Sequence, residues 1–250
     1  MVVIKTVAII QARMGSTRLS GKVMKNLFGK TVLAHVIERV KQSKEIDEIV
    51  IATTVSEYDT AIEGEAIRCG VKCFRGSEAD VLSRYYFAAQ ENKADIIVRI
   101  TSDCPLIDPR VTDKVVGYYK THDFPYVSNG NPNPLFITYP RGLDTEVFSF
   151  QGLEEAYLNA KEPYQREHVT PYFYEDGRKL FFLKNDKNYS RCRWTLDTEA
   201  DWCLISKIYE HLYKGVHDFY MGDVVRLMEE YPELYDINKD IRQKDYKSSH

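Results

Sequence analysis

The sequence predicts an α/β fold on a mainly parallel sheet, with an irregular excursion inserted after the first four strands. Three observations predict it. Short runs rich in β-branched residues alternate with amphipathic, helix-length segments as far as residue 121, the mark of parallel strands joined by right-handed crossovers. Between 122 and 190 that alternation gives way to Asn-, Gly- and Pro-rich loops with short strand-like pieces. No long linker, internal repeat or low-complexity tract divides the 250 residues. One domain over 1–235 with a polar tail, 236–250, is therefore expected.

The chain opens with an apolar run, Val7–Ile10, of strand length. Thr31–Lys41 then places Val32, Leu33, Val36, Ile37 and Val40 on one helical face. Asp47–Thr53 (DEIVIAT) is a short β-branched run and reads as a buried parallel strand. Residues 58–69 read as a helix, Val71–Phe74 as a strand, and Ala79–Asn92 as a helix with Val81, Leu82, Tyr85 and Ala88 inward. Ala94–Ile100 is the fourth strand, and Asp108-Pro109 opens the next helix. In the excursion, Phe136–Tyr139 and Leu143–Phe148 are strand-like and Gly152–Ala160 is helical. Pro163–Pro171 reads as irregular, while Leu180–Leu183 and Arg193–Leu196 are further strand candidates. Helices at 199–213 and 222–231 follow, and the tail from Asp236 is expected to fray.

Composition narrows the function. Hydrophobic residues at 44% and charged residues at 28% suit a globular protein with a proper core. No run approaches the roughly 18 apolar residues of a membrane span, and Lys5 interrupts the N-terminal stretch, so it reads as a strand rather than a signal peptide. Five cysteines without a CxxC pair fit free thiols in a reducing cytoplasm. A formal charge of −3, with no basic patch interleaved with aromatics, argues against nucleic acid.

Against that acidic balance, residues 11–30 stand out. Arg13, Arg18, Lys22, Lys25 and Lys30 all precede Glu38, the first acidic residue, and Gly15, Ser16 and Gly21 lie among them. Small residues let backbone N–H groups approach an anion, so phosphate is the expected partner; a solvated surface turn is the plainer alternative. The loop is not a Walker A loop. Five residues separate Gly15 from Gly21, and Val23, which has no hydroxyl for Mg²⁺, follows Lys22. A bound triphosphate would need carboxylates elsewhere to hold Mg²⁺. Asp103, fixed at a strand end before Cys104-Pro105, is one candidate; its alternative is an Asx turn. Asp197 is the other, with a helix cap as its alternative. Two carboxylates near one site repel unless a cation lies between them, so these two are expected within one ion's reach, closer than about 8 Å. His168 lies in Arg166-Glu-His-Val-Thr170 and is a site candidate or a structural histidine.

The stretch Gln11-Ala-Arg-Met-Gly-Ser-Thr-Arg-Leu-Ser-Gly-Lys22 resembles the signature A-R-x-x-S-x-R-L-P-x-K of the CMP–sugar-acid cytidylyltransferases, the family of 3-deoxy-manno-octulosonate and acylneuraminate cytidylyltransferases. Phe74-Arg-Gly-Ser77, Arg99-Ile-Thr-Ser-Asp-Cys-Pro105, Pro140-Arg-Gly-Leu-Asp-Thr-Glu146, Arg166–Pro171 and Thr195-Leu-Asp-Thr198 resemble its SpsF-type, spore-coat polysaccharide branch. The likeness spans about residues 5–230, and Ser20 stands where the loop usually carries Pro.

The resemblance implies a Rossmann-like, GT-A-type nucleotidyltransferase fold and Mg²⁺-dependent transfer of CMP from CTP, with pyrophosphate released. It implies nucleotide contacts from Gln11, Ala12, Arg13, Gly15, Ser16, Arg18, Lys22, Arg99 and Thr101, with Arg13, Lys22 and Asp103 catalytic. Asp103 and Asp197 would be the metal pair. For the acceptor, the arginines Arg141, Arg166 and Arg193 suggest a carboxylate or phosphate, with Asp144, Glu146 and His168 beside them; structural ion pairs are their alternative. A GT-A glycosyltransferase is a rival, but it would want a D-x-D motif where this chain has Ser102-Asp103-Cys104. A non-catalytic nucleotide-binding relative would need fewer of these charges. The Tyr- and Phe-rich excursion suggests a homodimer.

Overall fold

The computed structural model describes residues 4–16, 18–175 and 177–243. Seven strands form one sheet: β1 (Thr6–Gln11), β2 (Glu48–Thr54), β3 (Lys72–Gly76), β4 (Ile96–Thr101), β5 (Tyr126–Ser128), β6 (Glu146–Ser149) and β7 (Phe181–Phe182). Their order is 3-2-1-4-6-5-7. Strands β1 to β4 are mutually parallel, β6 runs antiparallel to both β4 and β5, and β7 pairs parallel with β5. The order reverses between β1 and β4, and the crevice beyond their carboxyl ends is where such sheets bind ligands.

The helices are α1 (Val32–Val40), α2 (Thr60–Arg68), α3 (Val81–Glu91), α4 (Pro109–Thr121), α5 (Phe150–Asn159), α6 (Pro163–His168), α7 (Pro171–Glu175), α8 (Glu199–Leu212) and α9 (Met221–Glu230). Val7 to Ile10 are wholly buried, as a parallel strand covered on both faces requires. On one face Ala8 and Ile10 pack with Leu33 and Val36 of α1, Ile62 of α2 and Val115 of α4. On the other, Val7 and Ile9 pack with Leu82 and Tyr85 of α3 and Leu153 of α5. A third core joins α8 and α9 to Leu143 and Trp194 beside the sheet. Among the described residues no helix is long and apolar enough to cross a membrane.

Local chemistry sets the helix starts. Thr31 accepts from Ala34 N, and Asp108 accepts from Arg110 N and Val111 N with Pro109 at the first helical position.

Four expectations need correction. Phe136–Tyr139 is not a strand: Pro134–Phe136 is a 3₁₀ turn, because Asn133 accepts from Leu135 N and Pro134 fixes the first position. Pro163–Pro171 is not irregular but holds α6 and the start of α7; Gln165 reaches back to Glu162 N and Pro163 starts the helix. Arg193–Leu196 joins no sheet and makes one bridge, Arg193 to Arg141. Nor does the tail fray at Asp236. Asn238 is buried and donates to Arg193 O at 2.9 Å and Asp201 Oδ1 at 2.8 Å. Residues 244–250 lie outside the described residues.

Candidate active site

The cationic loop leaves β1 at its carboxyl end. Its course is held by three short bonds: Ala12 N to Ala52 O at 3.1 Å, Ser16 N to Met14 O at 2.8 Å, and Met14 N to Asp59 Oδ1 at 2.7 Å. Asp59 is buried and its other oxygen accepts from Thr54 Oγ1, so a carboxylate from behind β2 braces the loop. Sequence reasoning missed Asp59, which fell without distinction at the start of the helix expected over residues 58–69. Gly21 sits in the left-handed region at φ 60°, turning the chain into the 3₁₀ turn of Lys22–Met24. Arg13 and Gly15 are exposed and Ser16 is half-buried at the loop's crest; Thr17 lies outside the described residues.

Lys22 is the hub. Its Nζ donates to Asp103 Oδ2 at 2.6 Å and to Asp197 Oδ1 at 2.8 Å, so the two carboxylate oxygens lie closer together than the sum of those distances. Burial pulls the lysine's pKa down, yet the two carboxylates raise it above its ordinary value. Burial would likewise push the Asp103 carboxyl up, but the Lys22 ammonium and the Thr101 hydroxyl, 2.6 Å away, hold it at about 2. Asp197 Oδ2 also meets Arg18 at 3.1 Å and Arg193 Nη2 at 2.7 Å. The helix-cap alternative belongs to its neighbour, since Thr198 caps α8 by accepting from Asp201 N.

The two carboxylates reach each other by different routes. Asp103 follows β4, next to β1 in the sheet. Asp197 ends an extended run threaded between Arg141 and Asp103: Arg141 N donates to Cys192 O, Trp194 N to Arg141 O at 2.7 Å, and Leu196 N to Asp103 O at 2.8 Å. At the crossing Gly142 has φ +102°, and a Cβ there would lie 2.6 Å from the Trp194 carbonyl carbon.

A cavity of about 350 Å³ opens beside this pair. Gln11, Arg18, Arg99 and Thr101, expected at the nucleotide, line it with Arg141, Asp144, Glu146 and His168, expected at the acceptor, together with Thr170, Tyr174 and Gln243. Within it, Glu146 is fully engaged. Oε2 pairs with Arg99, while Oε1 accepts from Tyr126 and Tyr174 hydroxyls at 2.9 Å and from Thr170 at 3.0 Å. Asp144 accepts from Gly142 N at 2.8 Å; burial raises its carboxyl against the opposing pull of Arg141. Two of the three acceptor arginines stand apart. Arg166 pairs with Asp80 on α3's cap and lies over Tyr157. Arg193, buried, binds Asp197 and Asp201, so it braces a carboxylate instead of facing the cavity. Gln243 carried no signal in the sequence, since only the tail's docking onto Arg193 Nη1 at 2.7 Å brings it in.

Among the described residues no three His, Cys, Asp or Glu side chains cluster as a metal cage. The oxygens of Asp103 and Asp197 nonetheless fit a hard divalent cation, which commonly takes one or two carboxylates and completes its shell with phosphates and water. The ammonium already seated between them shows that the geometry accepts a positive charge.

Known proteins settle the family. A model of the cytidylyltransferase family matches residues 7–221. The chain belongs to that family. The spore coat polysaccharide biosynthesis protein SpsF of Bacillus subtilis is 33% identical to this cytidylyltransferase over 81% of the chain and 85% of SpsF. The 3-deoxy-manno-octulosonate cytidylyltransferase of Chlamydia caviae is 29% identical over 94% of the chain and 92% of its own length. A solved cytidylyltransferase from Leptospira borgpetersenii superposes with a TM-score of 0.87 at 33% identity, covering 97% of this chain and all of that one.

Proposed function

We propose that this cytidylyltransferase transfers CMP from CTP to a small acidic sugar or phosphorylated acceptor, in the synthesis of a surface polysaccharide or glycan. One observation carries the reading: the phosphate-loop lysine and two carboxylates converge at the mouth of a polar cavity that Arg141 lines. An oxygen of the acceptor attacks the α-phosphorus, its bond to phosphorus forms, and the bond to the β-phosphate oxygen breaks to release pyrophosphate. Mg²⁺ held by Asp103 and Asp197 would offset charge developing on the α-phosphoryl and the leaving group. Arg13 and Arg18 stand along the loop for the β- and γ-phosphates. Arg141 supplies the guanidinium that an acidic acceptor needs, and Asp144 accepts from its hydroxyls. Positioning and charge neutralisation do most of the work.

The test is pyrophosphate release across a panel of nucleoside triphosphates and acceptors. CTP with a sugar acid or sugar phosphate should be the productive pair, and Arg141→Ala should raise the acceptor KM about tenfold or more without moving that for CTP. Turnover with neutral sugars only, or with another triphosphate in preference to CTP, would overturn the reading. The same reading includes a cytoplasmic homodimer. Leu135 and Phe136, 85% and 54% exposed on the excursion's 3₁₀ turn, are the apolar surface a second copy would cover. Sedimentation of the wild type and of Leu135→Asp checks it, and a wild-type monomer rules it out.

A further inference from the structure

One oxygen of Asp103 and one of Asp197 converge on Lys22 Nζ, at 2.6 and 2.8 Å, which is the position a cation bridging the two carboxylates would take. Carboxylate oxygens bind Mg²⁺ at about 2.1 Å, so metal and ammonium compete for one position. We propose that Lys22 is a resident counter-ion: it holds the carboxylate pair together in the free protein and yields its place to the metal only when CTP phosphates draw it away. This rests on the reading of Asp103 and Asp197 as the metal pair.

The surroundings make the exchange conditional. Lys22's side chain is only 13% exposed, so an ammonium displaced by metal alone is not simply returned to water. Arg18 and Arg193 already engage Asp197 Oδ2, so with Lys22 in place the pair's negative charge is already offset and a divalent cation arriving alone gains little from it. The triphosphate removes both obstacles. It offers Lys22 anionic oxygens in place of the carboxylates and brings its own ligands for the metal. Metal and nucleotide therefore enter together, each raising the other's affinity, as linkage requires. Lys22 then has two stations, on the carboxylates before CTP arrives and on its phosphates afterwards.

The test is Mn²⁺ binding, read by the loss of its free paramagnetic resonance signal, with no turnover involved. Wild type, Lys22→Gln and the double variant Lys22→Gln/Asp103→Asn are titrated without nucleotide. Wild type is titrated again with a non-hydrolysable CTP analogue, against an analogue-only control. Without nucleotide, Lys22→Gln should bind Mn²⁺ at least about tenfold more tightly than wild type, and the added Asp103→Asn should abolish that gain. The thermal midpoint of Lys22→Gln gives a second readout. It should lie below that of wild type, because the carboxylates are left facing each other, and Mn²⁺ alone should restore it. Wild type binding Mn²⁺ within threefold of Lys22→Gln overturns the inference. So does wild type binding Mn²⁺ with the analogue while Lys22→Gln still fails without it; the metal pair survives that result. No Mn²⁺ binding under any condition removes the metal pair itself, and this inference with it.

Discussion

At the scale of single residues, Glu146 shows how a site candidate can be a strut. A carboxylate in a cavity beside a predicted acceptor site invites a role in substrate recognition. Its two oxygens are nevertheless taken by Arg99, Tyr126, Tyr174 and Thr170. Arg99 is mostly but not wholly covered, its side chain 14% exposed, and its charge is favoured there because Glu146 lies against it; burial lowers its pKa and the neighbouring carboxylate more than reverses that. Glu146→Ala would leave the guanidinium mostly covered and without its counter-charge, which typically costs about 3–5 kcal/mol. At roughly 2–4 °C per kcal/mol for a chain of this size, the thermal midpoint should fall on the order of 10 °C. Glu146→Gln keeps an oxygen for the three hydroxyls and should fall less. Calorimetry of the two variants decides it, and an unchanged midpoint for Glu146→Ala would return Glu146 to the acceptor.

At the scale of elements, the second carboxylate reaches the site by a backbone crossing. The segment 192–197 forms no ladder; it is pinned at Arg141 on one side and at Asp103 O on the other. Gly142 makes the crossing possible, because both its positive φ and the 2.6 Å approach to Trp194 exclude a side chain. The Arg-Gly-Leu-Asp run thus serves two purposes, with Arg141 lining the cavity and Gly142 letting the segment that ends at Asp197 pass. Gly142→Ala should push the crossing apart and move Asp197 off Lys22. The expected outcome is a loss of at least about 1–3 kcal/mol of stability and a drop in kcat/KM for CTP larger than that destabilisation accounts for. Denaturant titration and steady-state kinetics measure the two. An alanine variant with wild-type stability and turnover would mean that the crossing relaxes freely and does not position the site.

At the scale of the molecule, α1, the small hairpin that pairs Asn26–Leu27 with Lys30–Thr31 before it, and the α8–α9 lobe meet at a buried histidine pair. His35 Nε2 donates to Leu27 O at 2.6 Å, and His35 Nδ1 accepts from His217 Nε2 at 2.8 Å. One neutral tautomer of each ring satisfies both bonds. Burial lowers His35 to about 4 and His217 to about 3. Glu38, 3.2 Å from His217, favours the charged form, but Lys30 engages both its oxygens at 2.5 and 2.7 Å, and burial prevails. The unfolded chain takes up protons below about 6.5, where the folded pair stays neutral, so stability is complete above that pH and declines as pH falls towards 4 and 3. Between pH 6.5 and 4.5 the pair should lose about 4 kcal/mol and the midpoint should drop on the order of 10 °C from this source. A His35→Gln/His217→Gln variant should show a flatter profile, whatever its absolute midpoint; an equally steep one would assign the acid loss to other groups.

The sequence by itself determined the parallel half of the sheet and the loop. Val7–Ile10, Ile49–Thr54 and Ile96–Val98 are buried, and apolar period and β-branching are local signals that survive in any context. Asp103 was legible for the same reason, since a strand end at the switch point is a place that topology fixes. Where local signals ran thin, only the tertiary structure decided. It turned Arg193–Leu196 from a strand candidate into a threaded strap and Arg166 and Arg193 from acceptor ligands into braces. It brought Asn238 and Gln243 from the tail onto the site, and set Asp59 behind the phosphate loop. A charged side chain's role depends on which opposite charge lies nearest once the chain is folded. Asp80 lies 86 residues from Arg166 and Asp197 lies 175 from Lys22, beyond the reach of any periodicity.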